Sequence, residues 1–267
     1  MVSDPLEKNI ITTDFYFLDN MKCKLCRQEK ELLTKSHIIP NFMYKEFFDE
    51  NHTALMVSGN NFSNVQNKQT GEYESNILCK TCDNEKIGKF ENYAKTVLYG
   101  GNNIRRVNIP NCINEKNKNG IEFTYCQGIN YKKFKLFLLS VLWRSSISSR
   151  PFFSEVSLGE KHSENIRKMI LYEEPGNIDD YPCVMTKYNK YNKKLSFITN
   201  PKKFKDTLGT RYSFFIGGIW YFYCVSKASI PRWFSECTLN KKNEMRIIHM
   251  GEEDENFFLE KQLGIKF

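Results

Sequence analysis

The chain lacks any apolar run long enough to cross a bilayer. Its two richest stretches, "FKLFLLSVLW" and "YSFFIGGIWYFYCV", fall short of the roughly 18 residues that a spanning helix needs. No transmembrane segment and no membrane partner are expected. The opening "MVSDPLEKNIITTDFYFLDN" has early acids and no apolar core behind a basic start, so it does not read as a secretory leader, and a cytoplasmic location is expected. Histidine is scarce, with only His37, His52, His162 and His249. None of them stands with Ser145 or Ser146 at a spacing that suggests a Ser-His-Asp hydrolase. There is no internal repeat, and the only biased tract is an Asn-rich stretch within residues 51–76.

What is present is ample core material: 21 Phe, 14 Tyr and 3 Trp in a chain that is 40% hydrophobic. Such a chain folds. At 267 residues it is expected to comprise a small module at 1–101 joined to a larger domain at 102–267. The net charge of +8 is uneven, because residues 1–100 hold 12 Lys+Arg against 14 Asp+Glu, whereas residues 101–267 hold 27 against 17. Attraction for a polyanion should therefore come mostly from the C-terminal part.

Patterning along the chain predicts a strand stub at Ile38-Ile39, then a short helix in 40–50 with Phe42, Phe47 and Phe48 partly buried. Residues 51–76 read as a long loop with at most weak strands. A helix is predicted over 83–99, where Ile87, Phe90, Ala94, Val97 and Leu98 recur at helical spacing before the stop at Gly100-Gly101. Short strands are expected in 102–131. "YKKFKLFLLSVLWRSSISS" reads as an apolar helix in the core of the second domain, and "EKHSENIRKMILYEE" as an amphipathic one. Hairpins are predicted in "CVMTKYNKYNKKLSFIT" and around Gly217-Gly218 in "RYSFFIGGIWYFYCV". The C-terminal part is thus α+β.

Nine cysteines include two C-x-x-C pairs, Cys23/Cys26 and Cys79/Cys82, with Cys112, Cys126, Cys183, Cys224 and Cys237 scattered. In a reducing compartment the pairs favour metal ligation and the rest ordinary buried thiols. Four thiolates satisfy a closed tetrahedral Zn²⁺ site. A redox reading does not explain why there are two pairs. Closing the site would bring Ser36-His37 towards the start of the 83–99 helix.

These residues, C-x-x-C, then "KSHIIPNFMYK", then "ILCKTCDNEKIGKFENYAK", resemble the HNH, or ββα-metal, endonucleases of the zinc-knuckle kind. More narrowly they look like prokaryotic HNH-like proteins, some associated with defence against phage. "LLSVLWR", "VSLGEKHSENIRKMI" and "DDYPC" extend the likeness over most of the chain. The resemblance implies an α+β protein whose N-terminal zinc-bound ββα-metal module precedes the larger C-terminal α+β domain. It implies hydrolysis of phosphodiester bonds in nucleic acid, DNA more than RNA, with structural Zn²⁺ and a catalytic Mg²⁺ or Mn²⁺.

His37 matches the family's general base, a role that suits a group titrating near neutral pH. The family commonly has a metal-binding Asp, Glu or His just before it, where this chain has Ser36. After the last knuckle cysteine it has Asn or His, where this chain has Asp83, a carboxylate suited to Mg²⁺ or Mn²⁺. On this resemblance the carboxylate is expected to have moved from the first position to the second. Asn84 could serve if the helix starts one residue later, and Asn76 could correspond to the middle Asn. Glu91, about 12 Å from Asp83 along a helix, cannot share its ion and reads as a surface or supporting group. The plain alternative for His37 is a part-buried residue bonded to a carbonyl.

Between 187 and 205 stand Lys187, Lys190, Lys193, Lys194, Lys202, Lys203 and Lys205, interleaved with Tyr188, Tyr191, Phe197 and Phe204 and with no acid. The stretch is either a nucleic-acid surface or a solvated hairpin with inward-facing rings. Three functions follow: an endonuclease, a non-catalytic zinc-knuckle subunit binding nucleic acid or protein, or a subunit that a protein partner activates or restrains.

Overall fold

In a computed structural model, residues 22–45, 48–51, 53–58, 64–100, 109–187, 197–207, 209–225 and 230–251 are described. Phe47, His52, Tyr188, Lys190, Tyr191, Lys193 and Lys194 lie outside them. The protein is a mixed α+β structure with a two-stranded ribbon, a ten-stranded sheet and, among the described residues, five α-helices.

In the ribbon, β1 (Ser36–His37) pairs antiparallel with β4 (Tyr73–Glu74), Ser36 opposite Glu74 and His37 opposite Tyr73. The strand lies two residues before the Ile38-Ile39 stub expected from sequence. Both isoleucines are fully buried and serve the core. After the ribbon the chain runs through a π-helical stretch, Thr81–Ile87, directly into α2 (Gly88–Tyr99). The helix ends as expected at Gly100, whose left-handed φ of +74° lets its N–H reach Thr96 O at 3.0 Å.

Between the two ribbon strands the chain forms α1 (Phe42–Lys45), β2 (Ala54–Ser58) and β3 (Asn64–Lys68). Here the expected loop is corrected, because β2 and β3 form an edge of the large sheet. β3 ("NVQNK") buries almost nothing. Its backbone ladder to β2, from Ala54↔Lys68 to Ser58↔Asn64, holds it in place of side-chain burial.

The sheet continues with β5 (Asn111–Lys116), β6 (Glu122–Gln127), β7 (Cys183–Lys187), β8 (Phe197–Thr199), β9 (Lys202–Asp206), β10 (Gly209–Ile216), β11 (Ile219–Cys224) and β12 (Glu244–His249). Its order is β3-β2-β8-β10-β11-β7-β12-β6-β5, with β9 also on β10. It draws strands from both sides of the 101/102 division. β2 with β8 and β12 with β7 are parallel, the remaining pairs antiparallel.

The Gly217-Gly218 hairpin forms as expected, with both glycines at positive φ and Ile216 opposite Ile219. Two such residues are what a tight turn matched to strand twist requires. The other expected hairpin does not form, since β10 and β11 stand between β7 and β8. Hydrogen bonding to those aromatic-rich strands displaces the local pairing. Cys112 and Cys126, expected as thiols, face each other across β5 and β6 and are joined by a disulfide. Cys183 and Cys237 are buried free thiols, and Cys224 is buried as well.

α3 (Tyr131–Ile147) is the helix expected from its apolar run; Asn130 caps it by accepting Lys133 N–H at 2.9 Å. Every residue from Phe134 to Ser145 is buried. Each fully buried large apolar side chain there contributes about 1.5–3 kcal/mol, so α3 anchors the core. Beside it packs α4 (Gly159–Tyr172), and α5 (Arg232–Cys237) lies against β12 and β7. Tyr223 of β11 donates its hydroxyl to Leu138 O at 3.1 Å, tying sheet to helix.

Candidate metal centre and the histidine beside it

The first C-x-x-C pair sits in a tight turn. Arg27 N–H closes onto Cys23 O at 2.7 Å with Arg27 at φ +61°, and Cys23 N–H reaches Gln28 O at 3.0 Å. The second pair arrives by backbone pairing, with Leu33 N–H on Leu78 O at 2.9 Å and Lys24 N–H on Ile77 O at 2.9 Å. Cys79 N–H points at Cys23 Sγ, 3.4 Å away.

The sulfurs of Cys23, Cys26, Cys79 and Cys82 all lie within 4.8 Å of one another, three of them on buried residues. Zn–S bonds of about 2.3 Å in a tetrahedron place sulfurs roughly 3.8 Å apart, so one ion fits with little contraction. The titration behaviour agrees. The hydrogen bond from Cys82, working against burial, pulls the Cys23 thiol well down, while the bond to Cys23 and then burial push Cys82 far up. Burial also raises Cys79. Sulfurs this crowded share protons, and a soft divalent cation replaces those protons and lets all four ionise. The donor set is compatible with zinc.

The knuckle is held by the helices behind it. Arg167 of α4 donates to Leu25 O and grips Glu164, which also binds Arg27. Lys24 reaches Ile147 O at 3.1 Å, and Lys86 reaches Leu171 O at 3.1 Å.

Closure of the cysteines sets the start of the helix against β1. Ser36, fully buried, donates its hydroxyl to Asp83 Oδ1 at 2.6 Å. His37 follows on the ribbon, half-buried and edge-on to Tyr73 at 6.2 Å. Burial lowers its pKa first, and the charges of Lys35 and Arg144 lower it further, opposed by Asp83. Among the described residues no hydrogen bond engages its ring nitrogens. The bond from the ring to a carbonyl that the plain alternative expects is not found among the described residues; the histidine's own carbonyl accepts Arg144 Nη1 at 2.7 Å.

Arg144 is the residue sequence reasoning missed. It is 1% exposed, and besides His37 O it binds Glu91 Oε1 at 2.6 Å and Ser140 O at 3.2 Å. Glu91 therefore supports the histidine strand through Arg144. One signal was legible: an arginine inside an otherwise apolar helix run, "FLLSVLWR", is almost never buried unless paired.

Other expected residues are placed elsewhere. Asn76 is exposed in a left-handed turn at φ +61°, its N–H on Leu33 O, and no hydrogen bond joins it to His37 among the described residues. Asn84 is exposed. Lys187 ends β7, exposed. Lys202 is engaged with Glu155 at 2.9 Å, Lys203 lies over the Tyr212 ring at 5.9 Å, and Lys205 is exposed opposite Thr210.

No family model, curated protein or solved structure matches this chain.

The purified protein should carry one zinc ion per chain, measured by metal analysis, and Cys82→Ser should lose it together with cooperative unfolding. Arg144→Met leaves the Glu91 carboxylate and the His37 carbonyl without their partner. Because Glu91 keeps some solvent, its cost should sit near the low end for a broken buried pair, about 3 kcal/mol in urea denaturation.

Proposed function

We propose that the protein is a metal-dependent endonuclease of the HNH, or ββα-metal, kind that hydrolyses phosphodiester bonds in nucleic acid, DNA in preference to RNA, with structural Zn²⁺ in the four-cysteine site. The observation that carries this reading is the Ser36–Asp83 hydrogen bond of 2.6 Å. It sets the Asp83 carboxylate at the helix start against the strand that bears His37, as relocation of a ligand from position 36 to position 83 requires. A short antiparallel ribbon leading through the second knuckle into a helix supports it further. The resemblance adds a role in defence against phage.

Asp83 would hold Mg²⁺ or Mn²⁺, for which one carboxylate completed by phosphate oxygens and water is a common donor set. When bound, the ion stabilises charge on the scissile phosphate and the leaving oxygen. His37, whose neutral form is favoured by burial and then by the charges of Lys35 and Arg144, takes the proton of the attacking water. Arg144 and Glu91 fix the backbone from which the imidazole projects.

Cleavage of plasmid, single-stranded DNA and RNA by the zinc-loaded protein tests this. Mg²⁺ or Mn²⁺ should be required, and His37→Ala should cut the rate by about 10²–10⁴-fold. Because the histidine pKa is lowered, the active neutral form persists into mild acid. The rate should rise with pH along a limb centred below 6.5. Cleavage that survives His37→Ala unchanged would remove the assignment.

A second reading, a non-catalytic zinc-knuckle subunit, draws on Ser36 itself, which is fully buried and bonded where the resemblance puts a metal ligand. Ser36→Asp separates the two. A sharp gain of cleavage from an inert parent marks a decayed site, whereas loss of existing cleavage on Asp83→Ala supports the relocated ligand. An inert chain that cuts only with a partner protein added is a regulated subunit.

A further inference from the structure

The cations around this site are almost all spent. Arg27, Arg167 and Lys168 are paired with Glu164, Lys89 and Lys132 with Glu173, and Arg144 with Glu91. Lys35 and Arg150 stand outside these pairs. Both are exposed, and neither forms an ion pair among the described residues. They meet at one ring, with Lys35 Nζ 4.4 Å and Arg150 Cζ 5.5 Å from the centroid of Tyr73. Arg150 is further fixed by its Nε donating to Tyr73 O at 2.9 Å.

Tyr73 is the direct cross-strand partner of His37. The carboxylates of the same segment are occupied: Glu74 accepts from Ser148 at 2.6 Å and from Ser149, and Glu72 bridges Lys68 at 3.5 Å. The result is two charges, Lys35 just before β1 and Arg150 just after α3, no more than about 10 Å apart over one ring of the strand that pairs with the candidate base.

We propose that Lys35 and Arg150, held on the Tyr73 ring, form the phosphate-binding clamp for the nucleic-acid strand at His37, contacting the backbone on either side of the scissile phosphate without reading bases. This rests on the nuclease reading and places the main phosphate contacts at the ribbon rather than at the 187–205 lysines. Cation–π attraction to the ring favours one position for each charge at this exposed site. Such charges need not be ordered when a phosphate arrives. Contacts to phosphate oxygens position a strand and carry no sequence information.

The test is binding, read apart from cleavage. Fluorescein-labelled single-stranded and duplex DNA are titrated with the zinc-loaded His37→Ala protein across about 50–200 mM salt. Removing each cation, as Lys35→Gln and Arg150→Gln, should weaken binding equally for unrelated sequences and reduce the log–log salt slope by about 0.7–0.9 per residue. Arg150→Lys, which keeps the charge, should retain the slope, and zinc content and circular dichroism confirm folding of each variant.

If the parent binds and Lys35→Gln with Arg150→Gln leaves the slope intact, while Lys203→Gln with Lys205→Gln lowers it, the clamp is wrong and the nuclease reading survives. Absence of salt-dependent binding by the parent overturns the clamp. Cleavage by the wild-type protein then decides the nuclease reading separately.

Discussion

A charge carried into the core organises the site. Arg144 sits on the apolar helix α3 and is 1% exposed, a position that costs several kcal/mol unless every charge and donor is answered. It is answered by α2 through Glu91, by β1 through His37 O and by its own helix through Ser140. A buried pair of this kind is near break-even in stability against apolar replacement. What it adds is position, because three elements must take one register for the guanidinium to be satisfied. The histidine strand is thereby referenced to the core helix and not only to the cysteines.

The cysteine cluster supplies the complementary constraint. Cys23 and Cys79 are far apart in sequence, and a cation at their sulfurs closes the ribbon and the helix start into one unit. Arg167, Lys24 and Lys86 then dock that unit on α3 and α4 through backbone carbonyls. Each docking bond has one partner, Leu25 O, Lys24 or Lys86, beside a knuckle cysteine or on the helix start that follows the second pair. Metal loading and packing of the N-terminal part are therefore coupled.

Local signals were legible. C-x-x-C spacing, the apolar run of α3, the glycine stop of α2 and the Gly217-Gly218 turn each depend on residues close in sequence, and each is where the pattern puts it. The association of position 36 with position 83 also followed, since pairing four cysteines leaves few other routes for the chain. The strands β2 and β3 were hidden because β3 ("NVQNK") carries no burial signal and the short apolar β2 ("ALMVS") finds its second partner, β8, far along the chain. The Arg144–Glu91 pair was hidden for a related reason: helical spacing separates Glu91 from Asp83 but does not say what stands opposite. Cys112 and Cys126 gave no spacing cue, and only the β5–β6 register brings them together.

The π-helical stretch at Thr81–Ile87, where Gly88 N–H bonds Asp83 O, has a rotational effect. In a regular helix at about 100° per residue, position 91 stands roughly 80° around the axis from position 83. One extra residue in the turn absorbs about 100° of that winding, bringing the two carboxylates almost into line along the helix. Asp83 can then face Ser36 while Glu91, farther along the same face, meets the arginine that holds the carbonyl of the next residue, His37. A single-residue widening of one turn thus lets one rod address both ends of a dipeptide, its hydroxyl and its backbone.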